Sequence, residues 1–306
     1  MNRRIFSSCT VLLLTCAVGV PAVAGPLRDR LEQRREARRE AAGAARGALP
    51  FGVTLHRDLP YGTAPAQRMD VYAPAGVQGA PVLLLVHGGG WRHGDKAQAA
   101  LVEHKVAHWT RKGYVVVSVN YRMLPEADPL QQAHDVARAL AEAQRRAGSW
   151  GGDADRFVLM GHSAGAHLVA LLAADPALPR SEGARPWRGT VALDSAAYDV
   201  VETMEGRHPK LYDEAFGRER SDWEAASPAH RLLASRAQPQ PMLLVCSSGR
   251  QLPCPQAEAH ARRLAARGGQ VQVLPQQLTH REINQQLGLP GDYTAQVERF
   301  IDALVR

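Results

Sequence analysis

The stretch Phe157-Val158-Leu159-Met160-Gly161-His162-Ser163-Ala164-Gly165-Ala166-His167-Leu168-Val169-Ala170-Leu171-Leu172-Ala173-Ala174 decides the fold. Its four opening apolar residues belong to a short run, Arg156 to Met160, that reads as a buried strand. Its second part, Ala164 to Ala174, is a longer apolar run that reads as a helix. Between them lies Gly161-x-Ser163-x-Gly165. A reversal from strand to helix in so few residues leaves no room for large neighbours. Small residues on both sides of the serine let its Oγ project from the edge of a sheet. The amide of Ala164 then falls at a helix N-terminus, where it can donate to a developing negative charge. A serine that only capped a helix would require neither flanking glycine, so Ser163 is the candidate nucleophile.

Moving upstream, Val82 to Val86 reads as a fully buried strand, and His87-Gly88-Gly89-Gly90-Trp91 follows it directly. Three glycines there let backbone amides approach a ligand without a side chain in the way. A tetrahedral intermediate needs at least two such donors on its oxygen. Gly88 and Gly89, with Ala164, are the candidate donors. His87 is read as a brace for the loop.

The rest of the chain alternates in the same manner from residue 51 onward. Further strands are expected at Gln67 to Tyr72, Tyr114 to Val119, Val191 to Leu193, Met242 to Cys246 and Val271 to Leu274. Helices are expected over 97–112, 130–147, 256–267 and 293–305. Strands alternating with helices predict a three-layer α/β/α sandwich around a mostly parallel sheet of about eight strands. Residues 200–240 read as irregular, carry Pro and Trp, and are a candidate small cap over the site.

Taken in order, HGGGW, then Val119-Asn120-Tyr121-Arg122 with Pro125-Glu126, then GHSAG resemble the carboxylesterase branch of the α/β-hydrolase superfamily. That branch includes hormone-sensitive-lipase-like esterases, acetyl and feruloyl esterases and kynurenine formamidases. The resemblance runs from about Tyr61 to the C-terminus. It implies an α/β-hydrolase fold and a chain order of Ser, acid, His for the catalytic residues. The general base is then a late histidine after the last strand, and His280 fits. His260, the other late histidine, falls inside a predicted helix. An imidazole suits the task because its ordinary pKa lies near neutral pH.

The acid departs from the family pattern. Its usual place is the loop after the strand Met242 to Cys246, which reads Ser247-Ser248-Gly249-Arg250-Gln251-Leu252-Pro253-Cys254 and holds no carboxylate. Glu258 comes next, inside a helix. Asp194, directly after the neighbouring strand, opens onto the same sheet edge and can reach the same histidine. Asp199 is the second option, and a site without a working acid is the third.

Composition sets the surroundings. Arg3, Arg4, the largely apolar run from Ile5 to Val20 and Pro21-Ala22-Val23-Ala24 read as a signal peptide over 1–24, cleaved near Ala24 for export to the periplasm or beyond. The run is too short and too interrupted for stable membrane insertion. Residues 25–50 read as an Arg/Glu/Ala-rich spacer, and 51–306 as the catalytic domain. With the leader removed, Cys246 and Cys254 are the remaining cysteines, a plausible disulfide in an oxidising compartment. Of the formal +7 charge, +2 belongs to Arg3 and Arg4 and +3 to residues 28–46. The near-neutral remainder lacks a basic patch interleaved with aromatics, which argues against nucleic-acid binding.

These readings favour an exported serine hydrolase of carboxylic esters that forms an acyl-enzyme on Ser163. No metal or organic cofactor is required, and the substrate is a small-molecule or polymer-derived ester. A formamidase or amidase is the adjacent alternative, and a catalytically degenerate binding protein the distant one. His104 and His108 stand four apart on a helix, as metal ligands can, but without a third ligand. Oligomeric state is not legible.

Overall fold

A computed structural model describes residues 49–306. The signal peptide expected over 1–24, and all but the last two residues of the spacer expected over 25–50, lie outside the described residues. The strands are β1 (Val53–Pro60), β2 (Arg68–Pro74), β3 (Ala80–Val86), β4 (Val115–Val119), β5 (Gly152–His162), β6 (Gly189–Leu193), β7 (Met242–Ser247) and β8 (Val271–Gln276). They form one eight-stranded sheet in the order β1-β2-β4-β3-β5-β6-β7-β8. β2 pairs antiparallel with β1 and β4, and every pairing from β4 through β3 to β8 is parallel.

The central strands β3 and β4 are apolar at all but one position, Ser118, because both of their faces are covered. On β3, Val82, Leu84 and Val86 point into one half of the core and Leu83 and Leu85 into the other. The first half is closed by α2 (Pro129–Arg146) and α3 (Ala164–Ala174), which contribute Val136, Leu140, Leu168 and Leu172. The second half is closed by α1 (Ala99–Arg111) and the C-terminal helix Asp292–Val305, through Val102, Val106, Val297 and Ile301. The apolar character of α3 all round follows from its position, since all eleven of its residues are buried. This is the three-layer α/β/α sandwich with about eight strands that the alternation predicts.

Two local expectations need correction. The segment 200–240 is not irregular. After the short helix α4 (Ala177–Ser181) and β6, it forms α5 (Val200–Glu205), α6 (Lys210–Phe216), α7 (Arg220–Ala225) and α8 (Pro228–Ala234). None exceeds seven residues, too few turns for an amphipathic period to show in sequence. The strand β1 also escapes the alternation, because at the sheet edge four of its eight positions are exposed and the other four only partly buried. Among the described residues, no helix is long and apolar enough to cross a membrane.

Candidate active site

Parallel strands open their C-terminal ends onto one edge, and ligands in such sheets sit there. The register aligns those ends closely. Val86 pairs with Gly161, His162 with Leu193, Leu193 with Val245, and Ser247 with Gln276. The residues following β3, β5, β6, β7 and β8 therefore converge on one rim. They are His87 to Gly90, Ser163, Asp194, the 248–252 loop and His280.

Ser163 occupies the turn between β5 and α3 with φ 55° and ψ −116°. A non-glycine residue at positive φ costs about 1–3 kcal/mol and persists only where its surroundings enforce it. Its amide donates to Leu193 O at 2.9 Å, which fixes the turn to β6. The flanking glycines are sterically required. A Cβ on Gly161 would stand 2.2 Å from Gly165 O, and one on Gly165 would stand 2.3 Å from Val86 O and 2.5 Å from His87 O. Gly165→Ala therefore pushes into backbone on both sides. It is expected to lose about 1–3 kcal/mol in urea unfolding, the usual penalty of overpacking. Wild-type stability in that variant would contradict the packing described.

The glycine loop lies against the serine. A Cβ on Gly88 would meet Ser163 Cβ at 3.0 Å and His162 O at 2.9 Å, so that position admits only glycine without a shift. Gly89 takes φ 108°, and its carbonyl accepts the amides of Arg92 and His93. His87 braces the loop as expected: it is buried, its Nδ1 lies 2.8 Å from Gly88 O, and its ring stacks on Tyr121 at 4.3 Å. Trp91 is a packing residue, 3% exposed, with its indole N–H donating to His167 Nδ1. The amide of Ala164 opens α3 and has no acceptor within its own helix.

His280 and Asp194 meet. Asp194 Oδ2 lies 2.5 Å from His280 Nδ1. The aspartate is 1% exposed and also accepts the Ser247 amide on Oδ1 at 2.7 Å. Burial pushes its carboxyl upward, but His280, Arg250 and the Ser247 amide outweigh that and hold it well below the usual carboxylate range. Like Ser163, Asp194 sits at positive φ, 56°, a region that aspartate tolerates better than most residues. His280 is not on an open loop. It is the first residue of α10 (His280–Gln285), capped by a reciprocal box in which Thr279 accepts the Glu282 amide and Glu282 accepts the Thr279 amide. The T-x-x-E spacing that announces this cap is present in the sequence.

The other candidates separate from this site. Asp199 caps α5 through the Glu202 amide and pairs with Arg263 at 2.9 Å. His260 is buried in α9 (Pro253–Ala266), stacked on Tyr198. His108 bonds Glu298 on the C-terminal helix, and Asp135 is a buried brace for the Arg122 guanidinium. The Sγ atoms of Cys246 and Cys254 are 2.05 Å apart and bracket the 247–253 loop.

Three residues of this neighbourhood carry no sequence signal. Arg250 places Nη1 2.6 Å from Asp194 Oδ2. His162 is buried with its ring 4.5 Å from that of His280, and its Nε2 lies 2.9 Å from the His280 carbonyl. Burial and the neighbouring His280 push its pKa well down, so it stays neutral. Lys105, from α1, reaches behind α10 and gives Nζ to Asn284 O at 2.5 Å and Asn284 Oδ1 at 2.9 Å.

A serine held at positive φ between β5 and α3, with a glycine loop after β3 lying against it, is placed on an α/β-hydrolase fold. The BD-FAE family model matches residues 69–185. The isoprenylcysteine alpha-carbonyl methylesterase ICME of Arabidopsis thaliana is 28% identical over 79% of the chain and 60% of its own length. Esterase LipC of Mycobacterium tuberculosis is 29% identical over 72% of the chain and 58% of its own length. The chain thus spans a little under two thirds of these curated relatives. Among solved structures, esterase B of Lactobacillus rhamnosis superposes with a TM-score of 0.69 at 19% identity, covering 91% of this chain and 93% of that one. The chain is thus similar to BD-FAE domains over residues 69–185 and to curated esterases over most of its length, on a fold shared with esterase structures.

Proposed function

We propose that this protein hydrolyses carboxylic esters by way of an acyl-enzyme on Ser163. The observation that carries the proposal is the 2.5 Å contact between His280 Nδ1 and Asp194 Oδ2 at the rim where Ser163 projects. With its Nδ1 proton given to Asp194, His280 leaves Nε2 free to accept a proton. As Ser163 Oγ attacks the ester carbonyl, His280 takes the hydroxyl proton, and Asp194 stabilises the imidazolium that forms. The amides of Gly88, Gly89 and Ala164 hold the oxyanion. His280 then protonates the departing alcohol. Water, deprotonated by the same histidine, attacks the acyl-enzyme, and collapse of that second intermediate releases the carboxylic acid and restores Ser163.

The names of the relatives, a methylesterase and an esterase, agree with this chemistry. The tightly filled turn around Ser163 and the glycine loop beside it also support it. We extend the reading to export on the strength of residues 1–24, and to a Cys246–Cys254 disulfide that closes the 247–253 loop.

The test is intact mass after exposure to an activated fluorophosphonate. One adduct is expected on the wild type and none on Ser163→Ala. A folded wild type that takes up no label, and that fails to hydrolyse an activated short-chain ester, would refute the proposal.

A further inference from the structure

The loop from which the family usually supplies its acid supplies a cation here. Arg250 lies between Cys246 and Cys254, whose sulfurs are 2.05 Å apart, so its loop is held at both ends. Its Nη1 is 2.6 Å from Asp194 Oδ2 and 2.9 Å from His280 Nδ1. The proton on His280 Nδ1 points at Asp194, so ring and guanidinium do not bond each other. They are two donors on one oxygen. The side chain of Arg250 is 18% exposed and that of Asp194 is fully buried, so little water screens the cluster.

We infer that Arg250 is a positioning residue that shares Asp194 with His280, fixing the carboxylate for the base and setting the pH at which the base works. This rests on the esterase reading above. The carboxylate is anchored at three points, by the Ser247 amide, Arg250 and His280. Without the guanidinium, Oδ2 is held only by the ring it is meant to orient. The permanent charge of Arg250 also offsets that of Asp194. The imidazolium formed during catalysis therefore sits beside a neutral pair rather than a bare carboxylate, and is stabilised less.

The other titratable groups around the cluster do not supply such a charge. Tyr198 after β6, Tyr212 on α6 and Tyr293 on the C-terminal helix are all pushed up by burial and stay neutral. His162 on β5 stays neutral for the reason given above. Lys105 on α1 is felt by His162 but is bonded to Asn284, on the far end of α10.

The experiment compares wild type, Arg250→Gln and Arg250→Lys in the pH profile of kcat/KM on an activated short-chain ester. Fluorophosphonate labelling and thermal unfolding are run beside it. In Arg250→Gln the acid limb is expected to move up by about one pH unit, the scale on which an adjacent charge acts. Its kcat should fall several-fold with KM nearly unchanged, and Arg250→Lys should return the limb toward wild type. A folded, labelled Arg250→Gln with an unmoved limb overturns the inference and leaves the esterase reading standing. A limb that moves equally in Arg250→Lys, which keeps the charge, also overturns it. A wild type that neither labels nor turns over refutes the esterase reading itself, and this inference with it.

Discussion

Asp194→Asn is expected to lower kcat on an activated ester by about four orders of magnitude, with little change in KM. The carboxylate oxygen 2.5 Å from His280 Nδ1 can only accept a hydrogen bond, and it thereby keeps the proton on Nδ1. Asn at this position keeps its carbonyl on the Ser247 amide, which can only donate, and turns its NH2 toward the ring, with the Arg250 guanidinium, also only a donor, shifting off the amide nitrogen. The ring answers by moving its proton to Nε2, the atom that must receive the proton of Ser163. The loss is thus one of tautomer rather than shape, and the variant should fold as the wild type does. Asp199→Asn is the paired control. Its carboxylate caps α5 and pairs with Arg263, so its removal should affect stability and leave turnover within tenfold. Steady-state kinetics on both variants decides the matter. An active Asp194→Asn with an inactive Asp199→Asn would transfer the acid to the other aspartate.

Lys105 should make stability depend on pH in an unusual direction. It is 1% exposed on α1, and burial pushes its ammonium down to about 7. A lysine with a depressed pKa in the folded state binds fewer protons there than in the unfolded chain. Stability then rises as pH climbs from about 7 toward the ordinary lysine value, and the full penalty is present below 7. Each unit of difference corresponds to about 1.4 kcal/mol. The oxygens around Nζ, two from Asn284 and Ala100 O at 3.4 Å, favour the charged form and reduce the effect. The expected gain of wild type over Lys105→Met between pH 7 and pH 10 is therefore about 1–3 kcal/mol. Urea unfolding of both proteins at the two pH values measures it, and the comparison cancels the tyrosines that titrate in the same range. Parallel pH dependence in the two proteins would refute the assignment. Because Asn284 belongs to the helix that starts at His280, Lys105→Met should also loosen the base and lower kcat.

Much of this protein follows from local pattern. Burial on both faces of the central strands demands uninterrupted apolar runs, so β3, β4 and β5 can be read residue by residue. The turn around Ser163 is equally legible, because backbone lies within 2.5 Å of where side chains at 161 and 165 would go. The short helices of the 200–234 segment are not, since a helix of one or two turns has no measurable period. Arg250 and Lys105 have no local signature at all. An arginine in a polar loop and a lysine in a helix are ordinary residues until the fold brings a carboxylate to one and a pair of carbonyls to the other.

The sequence by itself determined the three-layer sandwich, the serine at its strand-to-helix turn, the glycine loop beside it and the late histidine. Each of these depends on residue size and spacing within a few positions of chain. Which aspartate lies against that histidine was decided only by tertiary structure. The candidates lie 81 to 86 residues before His280 in the chain. The choice rests on the register of β6 between β5 and β7, which carries Asp194 to the imidazole and turns Asp199 into a helix cap. Hydrogen bonds act over about 3 Å, and chain order says nothing about distances on that scale across a sheet edge.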